Sequence, residues 1–347
     1  MKAAIFQILA TLIFAFPHMP LHSQVSMPEA NWDRAMAVDT IRTSSTQAML
    51  RPLYQLARAG DNRELLDSLS SIEQDPELAD PVRDYVIFSF ALGLSDMDAN
   101  SVSPPVMDFL FNYEPRTLIT HADHPQMVVP LFNSRAAAAG VRNRWSRQQA
   151  SELAENLFGK DPASWISAYL DADRVGRRGF IDAMEFASSK QLNAVGWLAL
   201  TRLDTTPELT LVAAQAGLES DDFELLRQSI LQGDGPHLAT VLAAASDKLS
   251  AEQSIELLDY TLESGSDKKA ALAIAHLAPA HLDEPAVREM MFNTLADRNL
   301  GAAAALVLSA SKNPEVRTRL TEVASKENGL ASERAALAIG SDREAVQ

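Results

Sequence analysis

The sequence predicts an all-α chain, an α-solenoid in which short helix pairs stack as a right-handed superhelix behind a less regular helical half. Composition is the first of three observations behind this. Hydrophobic residues make up 47% of the 347 positions but aromatics only 6%, so the apolar content is largely Ala and Leu. Those residues have the best helix propensities, and long alternating runs of Val, Ile and Thr are missing.

Helix starts are the second observation. Asp80-Pro81, Ser103-Pro104, Asp161-Pro162, Thr206-Pro207 and Asn313-Pro314 each set a capping residue before a proline. A cap side chain accepts from the orphan amides of the first turn, and proline there sacrifices no hydrogen bond. Ser250 with Gln253 adds a capping box. Gly265 is a natural stop for the helix that follows.

The third observation is a period. Amphipathic stripes recur at Phe223, Leu226 and Ile230, at Ile255, Leu258 and Leu262, at Val287, Met291 and Leu295, and at Val316, Leu320 and Val323. Their last anchors are spaced 32, 33 and 28 residues apart. Between them lie helices apolar nearly all round, such as 270–274 (AALAI), 304–308 (AALVL) and 335–339 (AALAI). The leucines at 242, 272, 306 and 337 give spacings of 30, 34 and 31. A helix pair of this length cannot bury its own apolar face, so neighbours must stack on it. The Ala-rich helices are expected in the middle of that stack, with Leu306 buried.

This alternation of AALAI-type helices with capped amphipathic ones resembles HEAT-type repeats, in their short bacterial form, over about residues 206–340. The resemblance implies a curved helical solenoid and no particular activity. Tetratricopeptide repeats are the neighbouring class, but their Trp, Gly and Tyr placements do not recur.

The first half is expected to be helical as well. Arg51 to Ala59 and Arg63 to Leu69 form one hairpin around Gly60, and Tyr85 to Leu92 reads as a fully buried helix. At the N-terminus, Lys2 precedes the uncharged apolar run Ala3 to Phe16, which Pro17 breaks ahead of Ser23. Fourteen residues fall short of the roughly 20 that span a bilayer but suit a signal-peptide h-region. Leu21 is larger than a signal peptidase prefers, and an uncleaved anchor is the alternative. The expected organisation is a signal peptide over 1–23, a flexible lead-in over 24–45, an irregular helical region over 46–190 and HEAT-like repeats over 191–347. Export to a periplasmic or secreted location follows, with no integral membrane span after cleavage.

The net charge of −16 argues against nucleic acid and anionic lipid as partners. With no cysteine there is no disulfide framework, thiol nucleophile, iron–sulfur cluster or lipoprotein anchor. Nucleophile-elbow, phosphate-loop and dinucleotide motifs are absent from the sequence, and the tryptophans at 32, 145, 165 and 197 are too scattered for a sugar-binding cleft.

Two segments offer metal-ligand types. His121-Ala-Asp-His124 pairs imidazoles beside Pro125 and reads as a polar turn between helices. Asp171-Ala-Asp173 opens like a calcium loop, but Val175 and Asp182 stand where oxygen-rich ligands are wanted, so a capped inter-helix turn is the expectation. No catalytic residue, metal or cofactor is expected.

One stretch reverses the chain's sign. Eight basic residues stand against five acidic ones between Arg135 and Arg178, most densely in Arg142-Asn-Arg-Trp-Ser-Arg147. Arg and Trp are favoured interface anchors. Arg142, Arg144, Trp145 and Arg147 are therefore the candidate contacts for a protein or peptide partner, and pairing with acidic neighbours within the chain is the alternative. The leading functional expectation is an exported, non-catalytic interaction scaffold. A dispersed catalytic or ligand site in the irregular first half is the other.

Overall fold

A computed structural model describes residues 29–234, 237–326 and 329–344, and it is all-helical apart from one small hairpin. The signal peptide expected over 1–23 lies outside the described residues. The chain divides into two compact units at Arg142/Asn143. That is well before the boundary expected at 190/191, because the helices around Trp165 share a core with those that follow them.

In the first unit, α1 (Arg34–Arg42), α2 (Thr46–Ala59), α3 (Asn62–Gln74) and α4 (Asp80–Gly93) pack together, and α5 (Pro104–Asn112) joins them against α3. The α2–α3 hairpin turns on Gly60, whose φ of 72° is the left-handed conformation that costs glycine least. In α4, Val86, Ile87, Phe90 and Ala91 are buried, but Leu92 is exposed, so the fully buried helix expected there has one solvent-facing edge.

The flexible lead-in expected over 24–45 is corrected over its described part. Asp33 caps α1 through Ala35 N and Met36 N, and Ala37 is buried. The segment is also tied down. Asn31 N and Trp32 N both donate to Leu118 O, and the Asn31 amide bonds Arg116 O and Leu118 N. These anchors belong to a hairpin of β1 (Leu118–Thr120) and β2 (Val128–Pro130), antiparallel with Ile119 opposite Val129. The β-branched residues here suit a pleated surface, and Pro130 ends the last strand.

The division between units falls within α6 (Ser134–Phe158). The second unit continues with α7 (Pro162–Asp171), α8 (Arg174–Ala183), α9 (Ser189–Leu200), α10 (Thr210–Glu219), α11 (Phe223–Gln232) and α12 (His237–Lys248). It ends with α13 (Ala251–Ser264), α14 (Asp267–Leu277), α15 (Pro285–Thr294), α16 (Gly301–Ser309), α17 (Pro314–Ala324) and α18 (Leu330–Glu344). Its helices sit in two rows. α10, α12, α14, α16 and α18 each pack on the next member of one row, and α9, α11, α13 and α15 do so in the other. Rungs join the rows at α9–α10, α13–α14, α15–α16 and α17–α18. One continuous apolar core runs from Ala214 to Ala338 between them.

Capping explains where these helices start. Asp161 accepts from Ala163 N and Ser164 N, Asn313 accepts from Glu315 N at 2.9 Å, and the capping boxes Ser250–Gln253 and Ser188–Gln191 are both formed. Asp80 instead stands inside α4, with Ala79 at the cap, and its carboxylate pairs with Arg83. Gly265 ends α13 in an extended conformation, not a left-handed one.

Polar links recur between neighbours about one helix pair apart. Lys248 pairs with Glu219, Asn299 bonds Asp267 at 2.6 Å, and Asn313 bonds Asp283 at 3.3 Å. Arg319 grips Glu289 through two bonds of 2.7 and 3.1 Å and lies 4.2 Å over the Phe292 ring.

The expected burial of Leu306 is wrong. It is 72% exposed, whereas Ala304 and Leu308 on the same helix are fully buried. A helix that is apolar all round does not reveal from its sequence which side the core covers. The stability consequences move accordingly. Leu308→Ala is expected to cost roughly 2–5 kcal/mol through lost burial and a cavity, and Leu306→Ala less than about 0.5 kcal/mol. Urea melts of the two variants check the assignment, and a larger loss at Leu306 would reverse it.

Candidate functional site

The basic island comes apart on inspection. Trp145 is only 6% exposed and belongs to the core, which removes it as a surface anchor. Arg147 donates through Nε and Nη2 to both carboxylate oxygens of Asp182, a bidentate pair across α6 and α8. The close approach of these helices depends on Gly179, since a Cβ there would run into Arg147 O and the Ala150 side chain. Arg142 lies 4.6 Å over the Phe111 ring, and Arg144 is exposed. Two of the three candidate guanidiniums therefore hold their own neighbours, and the four candidate residues do not form one exposed cluster.

The two metal-like segments resolve as turns. His121 and His124 stack with ring centroids 5.2 Å apart at the tip of the β-hairpin, not in a turn between helices, and His121 Nδ1 accepts from Asp123 N at 3.2 Å. Among the described residues no three His, Asp or Glu side chains gather as a metal ion would need. Asp173 caps α8 by accepting from Gly176 N at 2.7 Å. Arg177 closes the turn by donating to Leu170 O and Ala172 O, the free carbonyls at the end of α7.

A buried acid marks the first unit. Asp84 is fully enclosed, with one oxygen accepting from the Tyr113 hydroxyl and the other from Arg116 N at 2.9 Å and Thr117 N at 2.6 Å. Burial, reinforced by the bond to Asp84, pushes the Tyr113 phenol well above its usual range. Beside it the enclosed Arg83 donates to Ile72 O, Asp75 O and Leu78 O. Asp84 thus holds the chain entering β1, and Arg83 the connection between α3 and α4.

What sequence reasoning missed is an apolar ridge. In α14, α16 and α18 the solvent-facing arcs are 268/272/275, 302/306/310 and 333/337/340, and a leucine occupies the centre of each. Leu306 and Leu337 are each 72% exposed and equivalently placed, two positions beyond a fully buried alanine; Leu272 is half-buried. Since α14 packs on α16 and α16 on α18, these leucines lie on one face of the row. The signal was available: residues 301–309 contain no charged side chain, so a helix with any exposed side must there expose apolar surface. Large contiguous apolar patches on a soluble surface mark contact sites.

Among the described residues no helix is long and apolar enough to cross a membrane. Compared with family models, with curated proteins and with solved structures, the chain matches none.

Proposed function

We propose that the protein is an exported interaction scaffold, a HEAT-like α-solenoid over its second unit that binds a protein or peptide partner along the α14–α16–α18 face. The exposed pair Leu306 and Leu337 carries this reading. Each could have been polar without disturbing the core, and an exposed leucine on adjacent stacked helices is unfavourable in water unless something covers it. The two rows of alternating helices and the roughly 31-residue spacing support the solenoid, and the N-terminal apolar run supports export. The partner surface is thus moved from the basic island to the leucine ridge.

A photo-crosslinking amino acid placed at position 306, or at the exposed Thr318 of α17 as a control, tests this in living cells. Position 306 is expected to yield discrete adducts in the envelope fraction that position 318 does not. Identical patterns from the two positions, or none from either, would remove the ridge as an interaction surface.

A further inference from the structure

Resting on that reading, we infer that the ridge seats a cationic amphipathic helix of a partner protein. Packed helices lie roughly 8–10 Å apart, so Leu272, Leu306 and Leu337 present apolar points at about that interval across the row. Residues seven apart on a helix advance about 10 Å on one face. A helix laid across α14, α16 and α18 with one apolar residue per heptad therefore meets each leucine in turn. Same-face residues of a strand advance only about 7 Å and fall out of step.

Charge selects the sign of the incoming helix. Along the same row Asp247, Asp267 and Glu333 are exposed acids. Of the nearby lysines, Lys248 pairs with Glu219, and Lys268, on the arc of Leu272 itself, reaches Asp234 at 3.8 Å. Upstream, residues 204–267 hold thirteen acidic residues against two basic ones, so this part of the chain attracts cations from a distance. A second copy is disfavoured as occupant, because it brings another −16 net charges to a chain that already carries −16.

The probe is a labelled three-heptad peptide with Leu at the core positions and Lys elsewhere, titrated by fluorescence anisotropy against the full chain, beside its Leu/Glu counterpart. The Lys peptide is expected to bind saturably, to gain helicity on binding and to weaken with salt, while the Glu peptide does not bind. Leu306→Glu with Leu337→Glu is expected to lose affinity by about tenfold or more, although it adds two negative charges. Association by charge alone would instead tighten. Leu306→Ser with Leu337→Ser, which leaves the charge unchanged, is expected to lose affinity too and preserves the test should the Glu pair unfold. Undiminished binding by both variants, or equal binding of the Glu peptide, would overturn the proposal. So would a wild-type dimer in sedimentation equilibrium that the Ser pair dissolves, since the occupant would then be a second copy. Adducts at position 306 without binding of the Lys peptide would sink the cationic helix alone and leave the interaction surface standing.

Discussion

Replacing Asp84 with alanine is expected to destabilise the first unit by about 3–5 kcal/mol, because it strands two buried donors and a partly buried one at once. The Tyr113 hydroxyl, Arg116 N and Thr117 N all end on this carboxylate. Tyr113→Phe removes a single donor and should cost nearer 1 kcal/mol. The pair also predicts an alkaline signature. The folded-state value of the Tyr113 phenol is raised above its unfolded value of about 10. Its contribution is therefore complete below pH 10 and falls away as pH rises beyond it, when the unfolded chain ionises and the folded one does not. Urea midpoints followed from pH 8 to 11 should show a steeper alkaline decline for the wild type than for Tyr113→Phe. Parallel declines would mean that the phenol is not enclosed as described, and a loss below about 1 kcal/mol for Asp84→Ala would do the same for the carboxylate.

Trp165→Ala should be comparably severe in the second unit, at roughly 3–5 kcal/mol. The indole is fully buried where α7, α8 and α9 meet. It stacks on Tyr169 at 5.8 Å, meets Phe180 edge-on at 5.0 Å and lies 5.4 Å from Phe158. Losing it opens a cavity that several rings would have to move together to fill, and aromatic pairs contribute beyond their buried area. Trp165→Phe separates shape from chemistry. It keeps a ring in the stack and removes an indole N–H that has no hydrogen-bond partner among the described residues, so its loss should be less than half that of the alanine variant. Urea melts with near-ultraviolet circular dichroism measure both, and equal losses for Phe and Ala would contradict the packing.

Local chemistry was the legible part of this fold. The caps at Asp161, Asn313 and Ser250 and the turn at Gly60 act within a few residues, so their partners could be named from the chain alone. The hairpin at 118–130 was missed because two three-residue strands offer barely one alternation each. α1 was missed for a related reason: its nine residues bury only Ala37. The apolar registers were half right. Leu242 is fully buried, but the position that matches its burial on α14 is Ile274, 32 residues on, and not the half-buried Leu272. In alanine-rich helices the choice of side falls to neighbours distant in sequence. The same indifference hid the ridge at Leu306 and Leu337, and it drew attention to Arg147, whose partner Asp182 lies 35 positions away.

Alanine-rich helices present smooth surfaces, and smooth surfaces slide. The terminal pair contains its own remedy in Arg334. Its guanidinium passes over Gly301 and bonds Leu295 O at 2.7 Å, Asp297 O, and Arg298 O at 2.9 Å. Any side chain at 301 would meet that guanidinium and the Leu295 carbonyl. The glycine is thus a keyhole cut in the helix below, and the arginine is its key. Slipping α18 by one residue would carry the charge out of the slot and leave three carbonyls uncovered, which penalises every alignment but one. Register at this joint is set by one arginine, and the alanine surface around it is left free to stay plain.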